Sequence, residues 1–113
     1  MINVATATYR NEPDMHSTGF VYIMTNVTRS ILYIGVTSNL KRRITEHKEG
    51  HGSEFTIKYE VKDLMFYEGF RLITDAIARE KQLKKWHKQW KWNLITASNP
   101  NLLDLSEDVL IRY

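Results

Sequence analysis

The sequence predicts an α+β domain in which a three-stranded antiparallel sheet is flanked by helices, in the order β-β-α-β-α-α. Two neighbouring β-branched and aromatic runs separated by a polar stretch of hairpin length predict the first strands. Later segments in which apolar residues recur at spacings of three and four predict the helices. With 113 residues, 42% hydrophobic and 26% charged, the chain has the balance of one compact domain, large enough to bury a core without staples.

Residues 1–17 are polar and aperiodic and read as a flexible arm, leaving 18–113 as the single domain. GFVYIMTN (19–26) and ILYIG (31–35) read as a β-hairpin turning at 27–30. Ser38 is a good N-cap for a helix over 38–48, along which Leu40, Ile44 and His47 recur, and Gly50 and Gly52 end it. HGSEFTIKYEV (51–61) reads as a loop, and DLMFYE (63–68) as the third strand, its neighbours unassigned. Thr74 is placed to cap a long helix over 74–96, with Asp75 in its first turn, until Asn99-Pro100 breaks the pattern. Ser106 caps a short terminal helix reaching Tyr113.

The absence of cysteine removes disulfides, thiolate metal sites and cysteine nucleophiles, leaving oxygen and nitrogen chemistry. No apolar run approaches a membrane span and no secretory layout opens the chain, so the expected location is the cytoplasm. The net charge of +3 is a weak hint, but its distribution says more. In REKQLKKWHKQWK, Arg79, Lys81, Lys84, Lys85, Lys88 and Lys91 face a single acid, Glu80, with Trp86 and Trp90 interleaved. Lys84, Lys85 and Lys88 are thus candidate phosphate contacts, although on charge alone a solvated helix face is the favoured account of such lysines.

Several residues fit packing poorly. Ala76, Ile77, Leu83, Trp86, Trp90 and Leu94 form a helical stripe that claims both tryptophans for the core, and Glu80 falls in its gap. A carboxylate turned toward the packed side needs an ion pair, hydrogen bonds or a metal. Arg43 and His47 share a helix face, and Tyr22 and Tyr33 sit on the two hairpin strands. Gly35 carries no side chain to obstruct a ligand near the backbone. Together these residues suggest a site for phosphate chemistry.

VYIMTN…LYIGVTSNLKRRITEHKEG, followed by AIAREKQLKKW…NP, resembles the GIY-YIG nuclease superfamily, in particular its small single-domain bacterial members, over residues 19–105. Tyr22 stands at the tyrosine of the first motif, whose Gly-Ile is replaced by Phe20-Val21, and Tyr33-Ile34-Gly35 reproduces the second. The steps from Tyr33 to Arg43 and on to His47 also fit. The resemblance makes Glu80 the metal-binding glutamate and Asn99 a polar residue closing the site. Glu54 stands where many small members carry glycine, which changes the loop beside a possible DNA entrance, while His51 reads as a solvated loop histidine.

The resemblance implies a DNA endonuclease that hydrolyses phosphodiester bonds with one Mg²⁺ or Mn²⁺ ion, working in DNA repair, recombination or processing. Arg43 would contact the scissile phosphate, Tyr22 would be the general base, Tyr33 would orient water or phosphate, and His47 would relay the proton. A phenol near its ordinary pKa of about 10 is a poor base unless Arg43 and the metal favour its phenolate. No recognition domain is visible, so targeting would come from a protein partner, and nothing in the pattern requires an oligomer. The alternative is a nucleic-acid-binding module that keeps the fold and does not cleave.

Overall fold

The computed structural model describes residues 16–112. The chain runs β1 (Gly19–Thr25), β2 (Leu32–Thr37), α1 (Leu40–Lys48), α2 (Glu54–Lys58), β3 (Asp63–Phe70), α3 (Ile73–Lys84), α4 (Lys88–Ser98) and α5 (Ser106–Arg112). The expected α+β architecture holds, with one antiparallel sheet in the order β2-β1-β3. The arm expected over 1–17 lies outside the described residues except for His16 and Ser17, and so does Tyr113.

The central strand β1 is buried along its whole length, because both faces of the sheet are covered. On one face Phe20, Tyr22 and Met24 pack with Leu40 and Ile44 of α1, Leu64 and Tyr67 of β3, and Val109 of α5. On the other, Val21 and Ile23 pack with Met65 and Phe66 of β3, Ala76 and Leu83 of α3, and Ile95 of α4. Strand alternation therefore sends Tyr22 toward α1 and its two neighbours toward α3 and α4.

Local chemistry moves several of the expected boundaries. The cap of α1 is Asn39 rather than Ser38, its side chain accepting from Arg42 N at 3.0 Å. The expected loop after Gly52 contains α2, which Ser53 and Thr56 close with a reciprocal capping box. α3 starts from Leu72, without a side-chain cap, in place of Thr74. Ser106 opens α5, but it is Asp104 Oδ1 that accepts from the Ser106 N–H and hydroxyl, at 3.1 and 2.6 Å.

The largest departure is the break between α3 and α4. No glycine or proline marks it; His87 is extended, and Trp86 N donates to Leu83 O at 3.1 Å in a tightened last turn. Trp86 packs against the α3/α4 core, and the restarted helix buries Ile95 with partial burial of Trp92 and Leu94. The expected stripe is thereby split: Ile77 is 36% and Trp90 53% exposed. Packing overrides a helical propensity that runs unbroken through the sequence.

Beyond α4, Asn99 holds the return to the sheet. Its Nδ2 donates to Met65 O (3.2 Å) and Leu103 O (2.8 Å), and its Oδ1 accepts from Leu103 N (3.0 Å). The side-chain amide is thus occupied with backbone groups. Asn99→Ala is expected to destabilise the protein by about 2 kcal/mol or more, since it strands buried backbone groups, and urea unfolding measures the loss.

Candidate active site

In the hairpin register Tyr22 lies opposite Gly35 and Met24 opposite Tyr33. A Cβ at Gly35 would come within 2.3 Å of the Tyr22 ring and hydroxyl. The room left by this glycine is therefore filled by Tyr22, where the sequence suggested an opening for a ligand. Tyr33, two residues before Gly35, shares the face, and its ring centroid lies 6.3 Å from that of Tyr22.

α1 brings its polar pair onto these tyrosines by burying Leu40 and Ile44. One turn apart, Arg43 and His47 meet the same hydroxyl: Arg43 Nε donates to Tyr22 Oη at 3.2 Å, and His47 Nε2 is 3.2 Å from that oxygen. Arg43 Nη1 also donates to Glu46 Oε1 at 3.0 Å. His47 stands edge-on to Tyr22 and Tyr33, at 5.7 and 5.8 Å between centroids.

Burial governs the protonation states. It pushes the Tyr22 phenol up to about 12, and the hydrogen bond from Arg43, which works in the opposite direction, does not offset it. The sequence expectation that Arg43 would favour a phenolate is met in geometry and outweighed by desolvation. Arg43 is held protonated above its ordinary range, chiefly by its bond to Tyr22. Burial first, and the Arg43 charge second, lower His47 to about 4, so the imidazole is neutral near pH 7.

Tyr22 accepts from Arg43, which leaves its own proton free to donate to His47 Nε2. The tautomer that accepts this bond carries the imidazole proton on Nδ1, a buried atom without a hydrogen-bond partner among the described residues. Gly52 closes against it, since a Cβ there would lie 2.3 Å from Nδ1.

The structure thus gathers Tyr22, Tyr33, Arg43 and His47. Glu80 stands on α3, the helix whose Ala76 and Leu83 pack on the opposite face of the sheet. Its side chain is 13% exposed, with Oε2 2.7 Å from Lys84 Nζ. The partner its burial called for is a lysine one turn on. Lys84 in turn lines an open depression of about 330 Å³ with Leu32, Tyr33, Ile34, Phe55 and Lys91. This hollow runs along β2, connecting the helix that carries Glu80 with the outer tyrosine of the cluster.

The other basic candidates divide. Lys88 Nζ donates to Ser30 O at 2.5 Å and steadies the hairpin turn, whereas Lys85 is exposed and makes no salt bridge among the described residues. Arg79 is committed to Glu68, Nε to Oε1 at 3.0 Å. The sequence reading passed over Glu68, an acid only 3% exposed on β3 opposite Val21. It also passed over Phe55, whose ring stacks on that of Tyr33 at 6.0 Å, and Gly52. An acid inside the apolar run DLMFYE was the available signal for Glu68.

Two paired motif tyrosines, with a helix arginine and histidine on the hydroxyl of Tyr22, agree with the comparison against known families. The model described as the GIY-YIG catalytic domain matches residues 18–93. The chain belongs to the GIY-YIG family. It is similar to UPF0213 proteins from both bacteria and archaea. One from Clostridium perfringens is 34% identical over 80 residues, covering 71% of this chain and 85% of the relative. One from Haloquadratum walsbyi is 31% identical over 80 residues, covering 71% and 89%. One from Staphylococcus aureus is 29% identical over 76 residues, covering 67% and 92%. No solved structure gives a significant match.

A divalent cation is typical of GIY-YIG domains, and the donor set can be tested against one. No group of three or more His, Cys, Asp or Glu gathers among the described residues, which argues against a closed, protein-ligated centre. Glu80 is a lone carboxylate already holding an ammonium group. One carboxylate suits a hard cation bound through a single protein oxygen and otherwise through water and substrate phosphate, and the Lys84 ammonium is the group such a cation would displace. Among the described residues no helix is long and apolar enough to cross a membrane.

The buried imidazole has a measurable consequence in this GIY-YIG domain. In the unfolded chain His47 takes up a proton near 6.5, and in the folded one only near 4, so acidification through that window favours unfolding. Stability is expected to be full above about pH 6.5 and to fall by roughly 3 kcal/mol toward pH 4 from this group alone. Urea midpoints across the window should show the fall, and His47→Gln should flatten it.

Proposed function

We propose that this GIY-YIG domain is a metal-dependent DNA endonuclease hydrolysing phosphodiester bonds in DNA repair, recombination or processing. The observation that carries the reading is the Tyr22 hydroxyl held between Arg43 and a neutral His47, beside Tyr33 at the mouth of the hollow that Lys84 lines.

Arg43 has Nε on Tyr22 and one Nη1 hydrogen on Glu46, so both Nη2 hydrogens are left to meet a phosphoryl oxygen of the scissile group. Tyr33, half-buried at the hollow, orients the attacking water. As the water oxygen bonds to phosphorus, its proton passes to the Tyr22 oxygen while the Tyr22 proton moves to His47 Nε2. The bond from phosphorus to the 3′-oxygen breaks, and solvent protonates the leaving oxygen. This coupled transfer needs no standing phenolate, which suits a phenol whose burial raises it to about 12. A Mg²⁺ or Mn²⁺ ion held by Glu80 would supply charge neutralisation at the phosphoryl oxygens. Lys85, with Lys84 at the hollow, would follow the flanking backbone, whereas Lys88 is engaged with Ser30 O, and Gly35 and Asn99 act by positioning Tyr22 and the end of α4.

A second reading, a module that binds nucleic acid without cutting, draws on the Lys84 ammonium already seated on Glu80. Labelled single-stranded, duplex and branched DNA, each with Mg²⁺, Mn²⁺ or EDTA, separates the two. The nuclease reading expects cutting that EDTA abolishes and that Glu80→Gln lowers roughly a hundred-fold or more while binding persists. Arg43→Lys should be about as impaired, because a single ammonium cannot reproduce the guanidinium's bonds to Tyr22, Glu46 and phosphate together. Equal binding by wild type and variants, with no substrate cut under any metal, would leave the binding module.

A further inference from the structure

The short helix α2 and its C-cap residue Tyr59 display apolar side chains where a loop would display polar groups. Phe55 is 42%, Ile57 49% and Tyr59 41% exposed, although Thr56 of the same helix is buried. The rings form a row that starts at the candidate active site. Phe55 stacks on Tyr33 at 6.0 Å with 24° between the planes, and Tyr59 lies 4.9 Å from Phe55 at 52°. The hollow of about 330 Å³ opens against Tyr33 and Phe55, floored by Leu32 and Ile34 and rimmed by Lys84 and Lys91. Lys58 Nζ stands 5.3 Å from the centroid of the Tyr59 ring.

We infer that this hollow is a stacking subsite for an unpaired nucleobase next to the scissile phosphate, making single-stranded DNA the substrate class of the proposed nuclease. The inference rests on that nuclease reading for the identity of the neighbouring site. Its physical basis is the pairing of exposed aromatic faces with cations. An aromatic ring beside a phosphate-binding lysine recognises a base through its π-face and the adjoining phosphate through charge. Bases inside a duplex are stacked on each other and offer no face to a side chain, whereas a single strand can turn one out. A hydrophobic protein partner would not call for lysines on the rim. Lys91 fits the assignment further, since it lines the hollow and has no salt bridge among the described residues. Glu54, next to Phe55, is the one acid on α2, and Lys58 matches it in charge on the same helix.

The test is binding by the full chain in EDTA, read by fluorescence anisotropy on a labelled single strand and on the duplex of the same sequence. A second readout is the fluorescence of an adenine analogue placed along the single strand, which is quenched when the analogue stacks on an aromatic ring. The wild type should prefer the single strand and quench the analogue at one position. Phe55→Ala should weaken single-strand binding roughly ten-fold, collapse the preference and abolish the quench. Phe55→Trp should restore both, which a merely structural role for Phe55 would not require.

Equal wild-type affinity for the two forms would overturn the inference. So would loss of both forms in parallel on Phe55→Ala, or a Trp variant that behaves like the Ala variant. If the Phe55-dependent preference is found and no metal supports cutting, the subsite stands and the nuclease reading fails. If cutting is seen with a preference that ignores Phe55, the nuclease reading stands and the subsite fails.

Discussion

Tyr22 carries a hydroxyl into the interior between the sheet and α1, where a polar group without partners costs about 1–3 kcal/mol. Arg43 and His47 satisfy it from one face of α1, and the position of that helix follows: Leu40, Ile44 and His47 face inward together. Gly35 is needed on the paired strand because the Tyr22 ring lies where a Cβ would be, and Gly52 is needed because His47 lies where its Cβ would be. The same contact sets the chemistry. It keeps the phenol protonated, the imidazole neutral and the guanidinium charged, each at a fixed position beside the outer tyrosine. A donor, an acceptor and a cation are organised before any substrate arrives, which is the condition under which electrostatic contacts assist a reaction most.

The parts of this arrangement written in short-range patterns were legible in the sequence. Strand alternation and hairpin length placed Tyr22 and Tyr33 together, and the four-residue step from Arg43 to His47 put both on one helix face. The partner of Glu80 was half legible: the need for one followed from its place in the stripe, but whether an ion pair, hydrogen bonds or a metal would answer it was open, and Lys84 at the next turn does so as an ion pair. Features decided by distant packing were not legible. The break after Lys84 has no glycine or proline to announce it and follows from seating Trp86 and Ile95 against the sheet. The pairing of Glu68 with Arg79 required knowing that β3 lies beside β1, which no local pattern states. Helix α2 is an intermediate case, since Ser53 and Thr56 have capping-box spacing but Thr replaces the usual Glu or Gln.

The two sides of the candidate site are built by different faces of one sheet. The tyrosine cluster belongs to the α1 face, and Glu80 to a helix packed on the other, with the hollow along β2 lying between them. This division explains why charge counting along α3 and α4 overstated the basic surface: Arg79 serves Glu68, Lys88 serves the hairpin turn, and Lys84 serves Glu80. Of the basic residues counted there, Lys81, Lys85 and Lys91 make no salt bridge among the described residues, so the position of the phosphate chain on the protein decides between an active centre and a general basic surface.

The most direct measurement is a crystal structure of the Glu80→Gln variant with a short single-stranded oligonucleotide. The account predicts a phosphate oxygen within hydrogen-bond distance of the Arg43 guanidinium, with the Tyr22 and Tyr33 hydroxyls on the side from which water attacks. A strand lying instead across Lys85 and Trp90, with no phosphate near Arg43, would contradict it.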